Sequence, residues 1–182
     1  VQIFCRLLAT QLRDRGECDD RINDLFIENI TRASPLHDIG KVAIPDNILL
    51  KPGQLTPDEF EVMKTHTTHG ARTLEAVHGQ YPSNTFVQMG IEIARSHHEK
   101  WNGKGYPDGL RGEAIPFPAR IMAVADVYDA LRSERCYKPP FSHRKSCAII
   151  IDDSGEHFDP EAVAAFQTLE GDFETIRNDM DT

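Results

Sequence analysis

The sequence predicts an all-α fold, a single helical bundle of about six to eight helices. Three observations lead to this prediction. Apolar residues recur at three- and four-residue spacing along most of the chain, as they do on the buried face of a helix. No stretch shows the alternation of apolar and polar residues that marks a half-buried strand. The 182 residues contain no repeat and no long linker, so one domain with one core is expected.

The first part of the chain predicts two helices. One covers residues 3–13, and Gly16 after it is the signal that stops the helix. The next is expected to be capped by Asp19 or Asp20 and to have its last turns distorted by Pro35, because proline removes a backbone donor. Its apolar face comprises Ile22, Leu25, Phe26, Ile30 and Ala33.

A proline- and glycine-rich loop over residues 45–53 leads to two central helices. Residues 56–59, Thr-Pro-Asp-Glu, are a strong helix start with a capping threonine and acids in the first turn. This helix carries His66, and its apolar stripe comprises Phe60, Met63, Ala71 and Leu74. A further helix starts near Phe86 and delivers His97 and His98 at its end.

Three helices are predicted in the last third of the chain. Pro118 opens a helix that carries Asp126 and Asp129. Ser142 caps a helix in which the run 149–151 of isoleucines is buried. A short helix begins at residues 159–161, and the acidic tail that follows it is expected to fray.

Composition excludes several classes of protein. The net charge of −9 disfavours a polymeric nucleic-acid partner, which would need a basic face, yet permits a small anionic ligand. No apolar run is long enough to cross a bilayer, so no membrane partner is predicted. The four cysteines lack paired spacing and are expected to be reduced thiols. Basic residues are concentrated in and after one loop, at Lys100, Lys104, Arg111, Arg120, Arg132, Arg135 and Lys138.

One loop, residues 97–107, combines potential metal ligands with an anion-binding composition. His97 and His98 are adjacent imidazoles, and neutral imidazole is a common ligand of transition metals. The glycines and lysines that follow offer free backbone and positive charge to an anion. Lys100 and Lys104 are as well explained as solvated loop charges.

Further candidate ligands lie at helix ends and on helix faces. A set of imidazoles and carboxylates suits iron, manganese, nickel or zinc, and a carboxylate can bridge two ions. Taken singly, each residue has a structural explanation, as a hydrogen-bonded pair, a core histidine or a cap. Their conjunction favours a metal site formed by His37, Asp38, His66, His97, His98 and Asp126.

At these residues the sequence resembles a known family. Residues 36–41, Leu-His-Asp-Ile-Gly-Lys, resemble the HD motif of the HD superfamily of metal-dependent phosphohydrolases. Residues 97–107 resemble the extended Gly-Tyr-Pro motif of its HD-GYP subfamily. The resemblance continues at residues 44–46, 63–70, 126–131 and 157–160, and therefore covers nearly the whole chain.

The resemblance implies a cytoplasmic bacterial phosphodiesterase that acts on cyclic di-GMP and is often joined to a receiver domain. It implies a cluster of two or three divalent ions, iron or manganese first and nickel or zinc as alternatives, held by the six residues named above. Asp38 would bridge two ions and Lys41 would contact the scissile phosphate. Arg135 and Lys138 would contact the substrate, and Tyr106 would line its pocket.

The chain departs from the family pattern in two places. Cys136 stands where the family usually has proline, which affects the shape of that loop and not its charge. The family also has a histidine and a glutamate in its first helix at positions that fall before Val1. Residues 1–182 are therefore expected to be a single HD-GYP domain that lacks the start of its first helix and any upstream receiver domain.

Three functional hypotheses follow. The first is metal-dependent hydrolysis of cyclic di-GMP to pGpG and GMP, in which Asp38 and Lys41 take part in catalysis. The second is a catalytically weak or inactive module that binds cyclic di-GMP, or that docks partner proteins through the Gly-Tyr-Pro loop. The third keeps the chemistry and changes the substrate to another nucleotide. The sequence does not predict an oligomeric state.

Overall fold

The computed structural model describes residues 1–16, 21–134 and 139–180, and most of them are helical. The all-α prediction is confirmed, and within the described ranges β-structure is limited to two isolated bridges. The described residues form ten α-helices: α1 (Gln2–Asp14), α2 (Asp24–Ala33), α3 (Asp46–Leu49), α4 (Pro57–Lys64), α5 (His66–His78), α6 (Thr85–Ser96), α7 (Phe117–Arg132), α8 (His143–Asp152), α9 (Pro160–Thr168) and α10 (Glu170–Met180). A 3₁₀ helix, Ser34–Ala43, continues directly from α2.

The main core lies between α1, α7, α9 and α10. Phe4 stacks on Phe173 with ring centroids 4.4 Å apart, and Tyr128 meets Phe173 edge-on at 5.0 Å. Phe166 contacts the same ring from α9, also edge-on at 5.0 Å. Aromatic pairs in these geometries contribute beyond the area they bury. Four helices from the two ends of the chain are therefore joined through Phe173.

The expectation that the acidic tail frays is wrong. Residues after Thr168 form α10, and Phe173 is fully buried within it. Phe173 docks this mostly polar helix, since burying an aromatic side chain is worth several times a typical surface contact. Ile176 packs against the same core, and Arg177 forms an ion pair with Asp129 at 2.9 Å.

The start of α2 also differs from the prediction. Asn23 is the N-cap, and its side-chain oxygen accepts a hydrogen bond from the Phe26 amide at 2.9 Å. Asp19 and Asp20 lie outside the described residues. Ile30 is fully buried as expected, whereas Leu25 is 54% exposed because the helix begins later and its first turn projects beyond the core.

Two local features of the central region decide where candidate ligands point. Pro35 lies at the first turn of the 3₁₀ helix, which confirms that the helical geometry of α2 changes there. Thr56 and Glu59 form the expected capping box of α4. The single helix predicted after Thr56 is in fact two, because the chain breaks at Thr65 and restarts as α5 with His66 as its first residue.

The predicted apolar stripe of the helix after Thr56 is wrong at Phe60, which is 44% exposed because α4 buries none of its residues. The predictions for α8 and for the cysteines hold where the structure describes them. The isoleucine run 149–151 lies in α8, and Ser142 caps that helix. Cys5 and Cys147 are buried free thiols, while Cys18 and Cys136 lie outside the described ranges. None of the described helices has both the length and the apolar character required to span a bilayer.

Replacing Phe173 with alanine should cost about 3–5 kcal/mol of unfolding free energy, because it removes a fully buried ring from the junction of four helices. Met180→Ala, at a 48% exposed position of the same helix, is the matched control and should change the free energy by less than about 0.5 kcal/mol. Urea unfolding followed by circular dichroism measures both. Equal, small effects would show that α10 does not belong to the core.

Candidate metal centre

The structure brings all six predicted ligands to one cleft. His37 and Asp38 lie on the 3₁₀ helix, and His66 is the first residue of α5. The remaining ligands are His97 and His98, which follow α6, and Asp126 in the middle of α7. The cleft has a volume of about 440 Å³, and its lining includes His37, Asp38, Lys41, His98 and Asp126.

Three imidazoles form the deep end of the cleft. His66 and His97 are 1% and 2% exposed, and their Nε2 atoms lie 3.5 Å apart. His98 completes the group, in which one ligand atom of each residue lies within 4.8 Å of the others. Such a spacing allows three nitrogens to share one ion, because ligands of the same ion are held on a shell of about 2.0–2.2 Å radius.

Backbone carbonyls orient the buried rings. Nδ1 of His66 lies 2.7 Å from the carbonyl oxygen of Met63, and Nδ1 of His97 lies 2.9 Å from that of Ile93. Nδ1 of His37 lies 2.8 Å from the carbonyl oxygen of Ser34. A carbonyl oxygen only accepts, so each Nδ1 carries the proton and donates it. Each Nε2 therefore presents its lone pair to the cleft, the arrangement found in most metal-ligating histidines.

The second half of the centre combines one imidazole with two carboxylates. Nε2 of His37 lies 3.1 Å from Oδ2 of Asp38 and 3.5 Å from Oδ1 of Asp126. The other oxygen of Asp38 lies 3.6 Å from Nε2 of His66. Asp38 thus stands between the imidazole trio and the His37–Asp126 pair, which is the position that a bridging carboxylate requires.

Burial keeps the trio uncharged. It lowers the pKa of His98 to about 3, with a further contribution from His66. It also lowers the pKa of His97, where His98 adds to the effect, and that of His66. Neutral imidazole is the form that binds a metal ion, so these three residues are in the ligand state without having to lose a proton at neutral pH.

The pKa values of the other three ligand residues are shifted in different directions. Burial opposes the charged form of Asp38, but hydrogen bonds and charges from His37 and Lys41 lower its pKa well below the usual range. His37 is also buried, and nevertheless Asp38 and Asp126 raise its pKa. Burial raises the pKa of Asp126. The ammonium of Lys41, 2.7 Å from Oδ2 of Asp38, balances part of the negative charge that the two carboxylates bring to the cleft.

Of the four residues predicted to contact the substrate, the structure describes two, Lys41 and Tyr106. Lys41 lies at the cleft, with Nζ 2.7 Å from Oδ2 of Asp38. The ring of Tyr106 stacks on that of His98, with centroids 4.8 Å apart and an interplanar angle of 27°. Arg135 and Lys138 lie outside the residues that the structure describes.

The family comparison agrees with this geometry. The model of a family described as HD domain matches residues 19–162, which is more than half of the chain. The chain belongs to the HD domain family. This membership confirms the assignment made from the His-Asp motif at His37 and Asp38.

Relatives of this HD domain carry different substrate names. A cyclic di-GMP phosphodiesterase of Vibrio cholerae is 49% identical over 97% of this chain and 36% of its own length. A 3′3′-cGAMP-specific phosphodiesterase 2 of the same organism is 43% identical over 97% of this chain and 31% of its own length. This chain therefore spans about a third of these relatives.

A solved structure described as an HDG"Y"P protein from Bdellovibrio bacteriovorus matches this HD domain with a TM-score of 0.63. The match covers 92% of this chain and 50% of that chain at 21% identity, which shows a shared fold.

Glu99 is a site residue whose role sequence reasoning missed. It is 2% exposed, and its carboxylate accepts hydrogen bonds from the backbone amides of Asp108 at 2.7 Å and Leu110 at 3.0 Å. Glu99 therefore holds the far side of the loop that carries Tyr106. Its position directly after the histidine pair was the only signal in the sequence.

The motif at residues 157–160 supports the loop from outside the HD cleft. The amide of Trp101 donates to the carbonyl oxygen of His157 at 3.0 Å, and Asp159 forms a buried ion pair with Arg120 at 3.0 Å. Asp159 also caps α9 by accepting from the Glu161 amide. These contacts explain the motif as support for the loop.

Close packing of two backbones places His37 and Asp38 against His66. A Cβ added to Gly40 would overlap the carbonyl oxygen of His66 and the backbone nitrogen of Gly70. Gly70 faces the same contact, since its own Cβ would lie 3.2 Å from the nitrogen of Gly40. Only glycine at position 40 lets the 3₁₀ helix approach α5 closely enough for the ligands to meet.

Gly40→Ala is expected to separate the 3₁₀ helix from α5, to destabilise the HD domain by at least about 1–3 kcal/mol and to weaken metal binding. Gly171→Ala is the control, because nothing lies within 4 Å of its Cβ position in α10. That control should raise stability by about 0.5–1 kcal/mol and leave metal binding unchanged. Urea unfolding and metal content measured on the same preparations test the pair; equal behaviour would contradict the close-approach argument.

Proposed function

We propose that this HD domain hydrolyses cyclic di-GMP in a bacterial second-messenger pathway. The observation that carries the proposal is the convergence of six predicted ligands on one cleft, with three Nε2 lone pairs directed into it by carbonyl contacts at Nδ1. A relative that is 49% identical over 97% of this chain and is named for cyclic di-GMP hydrolysis supports the choice of substrate.

The donor set fits divalent transition metals. His66, His97 and His98 form one nitrogen group, His37 and Asp126 form a second group, and Asp38 lies between them. Four imidazoles with two carboxylates suit iron or manganese, with nickel or zinc as alternatives, and the split into two groups suits two ions. A third ion would need ligands beyond the six. When bound, such ions polarise the phosphoryl oxygens and supply a nucleophile from water at neutral pH.

The protein residues position the phosphate and neutralise its charge. Lys41 is 41% exposed and reaches over Asp38, so its ammonium can turn from that carboxylate to a phosphoryl oxygen. Tyr106 covers His98 and forms a wall of the pocket. Arg135 and Lys138 supply further positive charge to the substrate in this proposal. The products are pGpG and, after a second cleavage, GMP.

The same proposal covers the setting of the domain. Residues 1–182 act as a single HD-GYP domain with cytoplasmic location in this proposal. The Gly-Tyr-Pro loop offers a surface for other signalling proteins next to the substrate cleft.

A second cyclic dinucleotide is the alternative substrate. A relative named for 3′3′-cGAMP is 43% identical over the same share of this chain as the cyclic di-GMP relative. Both dinucleotides present the same phosphodiester to the metal ligands. Turnover of the two compounds measured side by side on anaerobically prepared protein decides between them, and faster hydrolysis of 3′3′-cGAMP would replace cyclic di-GMP as the proposed substrate.

His37→Ala and Asp38→Ala should each abolish turnover of cyclic di-GMP and reduce the number of bound metal ions, because each removes a ligand between or within the two groups. His69→Ala is the matched control, since it removes a half-buried histidine from α5 that is not one of the six ligands. Metal content by mass spectrometry and product formation by chromatography give the two readouts. Hydrolysis that survives removal of both His37 and Asp38 would overturn the proposal.

Lys41→Met should lower kcat by about 10²–10³-fold while the metal content stays at the wild-type level, since a cation at the developing charge is lost and the ligands remain. Lys104→Met replaces an exposed loop lysine and should leave kcat unchanged. If Lys41→Met loses metal in proportion to activity, Lys41 serves to hold Asp38 and does not contact the phosphate.

A further inference from the structure

A second group of potential metal ligands lies where α8 meets α10, and the function proposed above does not use it. In the described part of the chain, His143, Cys147 and Glu170 each offer one ligand atom, and these atoms all lie within 4.8 Å of one another. None of the three lines the HD cleft. The group combines nitrogen, sulfur and oxygen donors, whereas the HD centre contains only nitrogen and oxygen.

The spacing of the first two residues is that of a chelating pair. His143 and Cys147 are four residues apart on α8 and so lie on one face of the helix. Their Nε2 and Sγ atoms are 3.4 Å apart. Two ligands of a tetrahedral zinc ion, with bonds of about 2.0–2.1 Å to nitrogen and 2.3 Å to sulfur, would stand roughly 3.5 Å apart. Sγ also lies 3.6 Å from Nδ1 of the same ring, so a rotation of the imidazole, without a movement of the helix, would let the pair share one ion.

Neighbouring residues hold the imidazole in the required orientation. The Tyr128 hydroxyl lies 2.9 Å from Nδ1 of His143, so that nitrogen is occupied and Nε2 is left to face the thiol. This contact has the form of the hydrogen bonds that orient metal-ligating histidines. Glu170 approaches from the start of α10 and brings the third donor from a separate helix.

We propose that His143, Cys147 and Glu170 form a binding site for a single divalent ion of borderline softness, with zinc as its natural occupant. Zinc accepts nitrogen, sulfur and oxygen ligands together and tolerates the irregular geometry of a three-residue site completed by solvent. His143 and Glu170 are partly exposed, which gives the ion a path from solution, while Cys147 is buried.

The Cys147 thiol is neutral until an ion binds. Burial raises the pKa of the Cys147 thiol to about 12, and the carboxylates of Glu170 and Glu174 add to that effect, whereas Arg132 opposes it. Binding of a divalent ion would replace the thiol proton, which leaves to solvent, so that a thiolate and the Glu170 carboxylate balance the charge of the ion.

Occupation of this site would fasten the C-terminal helix to the core. The ion would join α8 to α10 directly and would reach α7 through Tyr128, which belongs to the same aromatic cluster as Phe173. Binding to the folded state alone raises stability in proportion to the logarithm of metal concentration. The expected role is therefore structural.

Cobalt(II) provides a readout that distinguishes this site from the HD centre. A thiolate–cobalt bond gives a near-ultraviolet charge-transfer band, and none of the six HD ligands contains sulfur. Adding cobalt to the metal-free chain should produce this band with a stoichiometry of one ion, and zinc should displace it. No band in the wild-type chain would overturn the proposal and leave a simple hydrogen bond between thiol and imidazole.

Variants assign the band to the proposed residues. Cys147→Ser should abolish it, Glu170→Gln should weaken cobalt binding, and Tyr128→Phe should do so by about tenfold or more with the band retained. Cys18→Ser, which removes a thiol elsewhere in the chain, should leave the band intact. A band that persists in folded Cys147→Ser contradicts the assignment. Should that variant fail to fold, Glu170→Gln decides the matter, because it keeps all four thiols and unchanged cobalt binding in it would contradict the assignment.

Discussion

The hydrogen bonds between histidine Nδ1 atoms and backbone carbonyls are the interaction on which the centre depends. A histidine can present either nitrogen, and only a fixed acceptor on one side decides which lone pair faces the cleft. His66 and His97 take that acceptor from the turns beside them, the former from Met63 and the latter from Ile93. Both carbonyls belong to the last turn of the helix that precedes the histidine, and each accepts the ring N–H in addition to a backbone amide, so these ligands are oriented without any additional side chain.

Orientation is useful only if the helices that carry the ligands approach each other closely. The contact between Gly40 and the first turn of α5 brings Asp38 within 3.6 Å of His66, and the break of the chain at Thr65 makes His66 a helix start. The resulting centre concentrates buried imidazoles and carboxylates whose pKa values are shifted in opposite directions. Buried charged groups lower the free energy of unfolding unless they are paired or bind a cation. The aromatic core around Phe173, which lies outside the cleft, contributes stability that offsets this cost.

Sequence reasoning predicted six ligand residues that the structure brings to one cleft, but it missed much of their support. His37 and Asp126 could be predicted because each lies at a helix end or on a helix face, and the structure brings them together from the 3₁₀ helix and α7. It missed the role of Glu99, because the sequence does not show that this carboxylate is buried and accepts hydrogen bonds from two backbone amides. It also missed α10, because propensity cannot reveal that Phe173 has a ring to stack on 169 residues earlier in the chain.

Different residues at the cleft are expected to contact the phosphodiester and the bases of a cyclic dinucleotide, and this bears on substrate choice. In the function proposed above, the six ligand residues and Lys41 contact the phosphodiester, which is the same in the two dinucleotides named for the relatives of this HD domain. An interaction that is equally strong for two substrates cannot discriminate between them, since specificity is a difference of binding free energies. Selection between cyclic dinucleotides must therefore come from surfaces that meet the bases. Tyr106, held by Glu99 through the loop and stacked on His98, is placed where such a surface meets the metal centre.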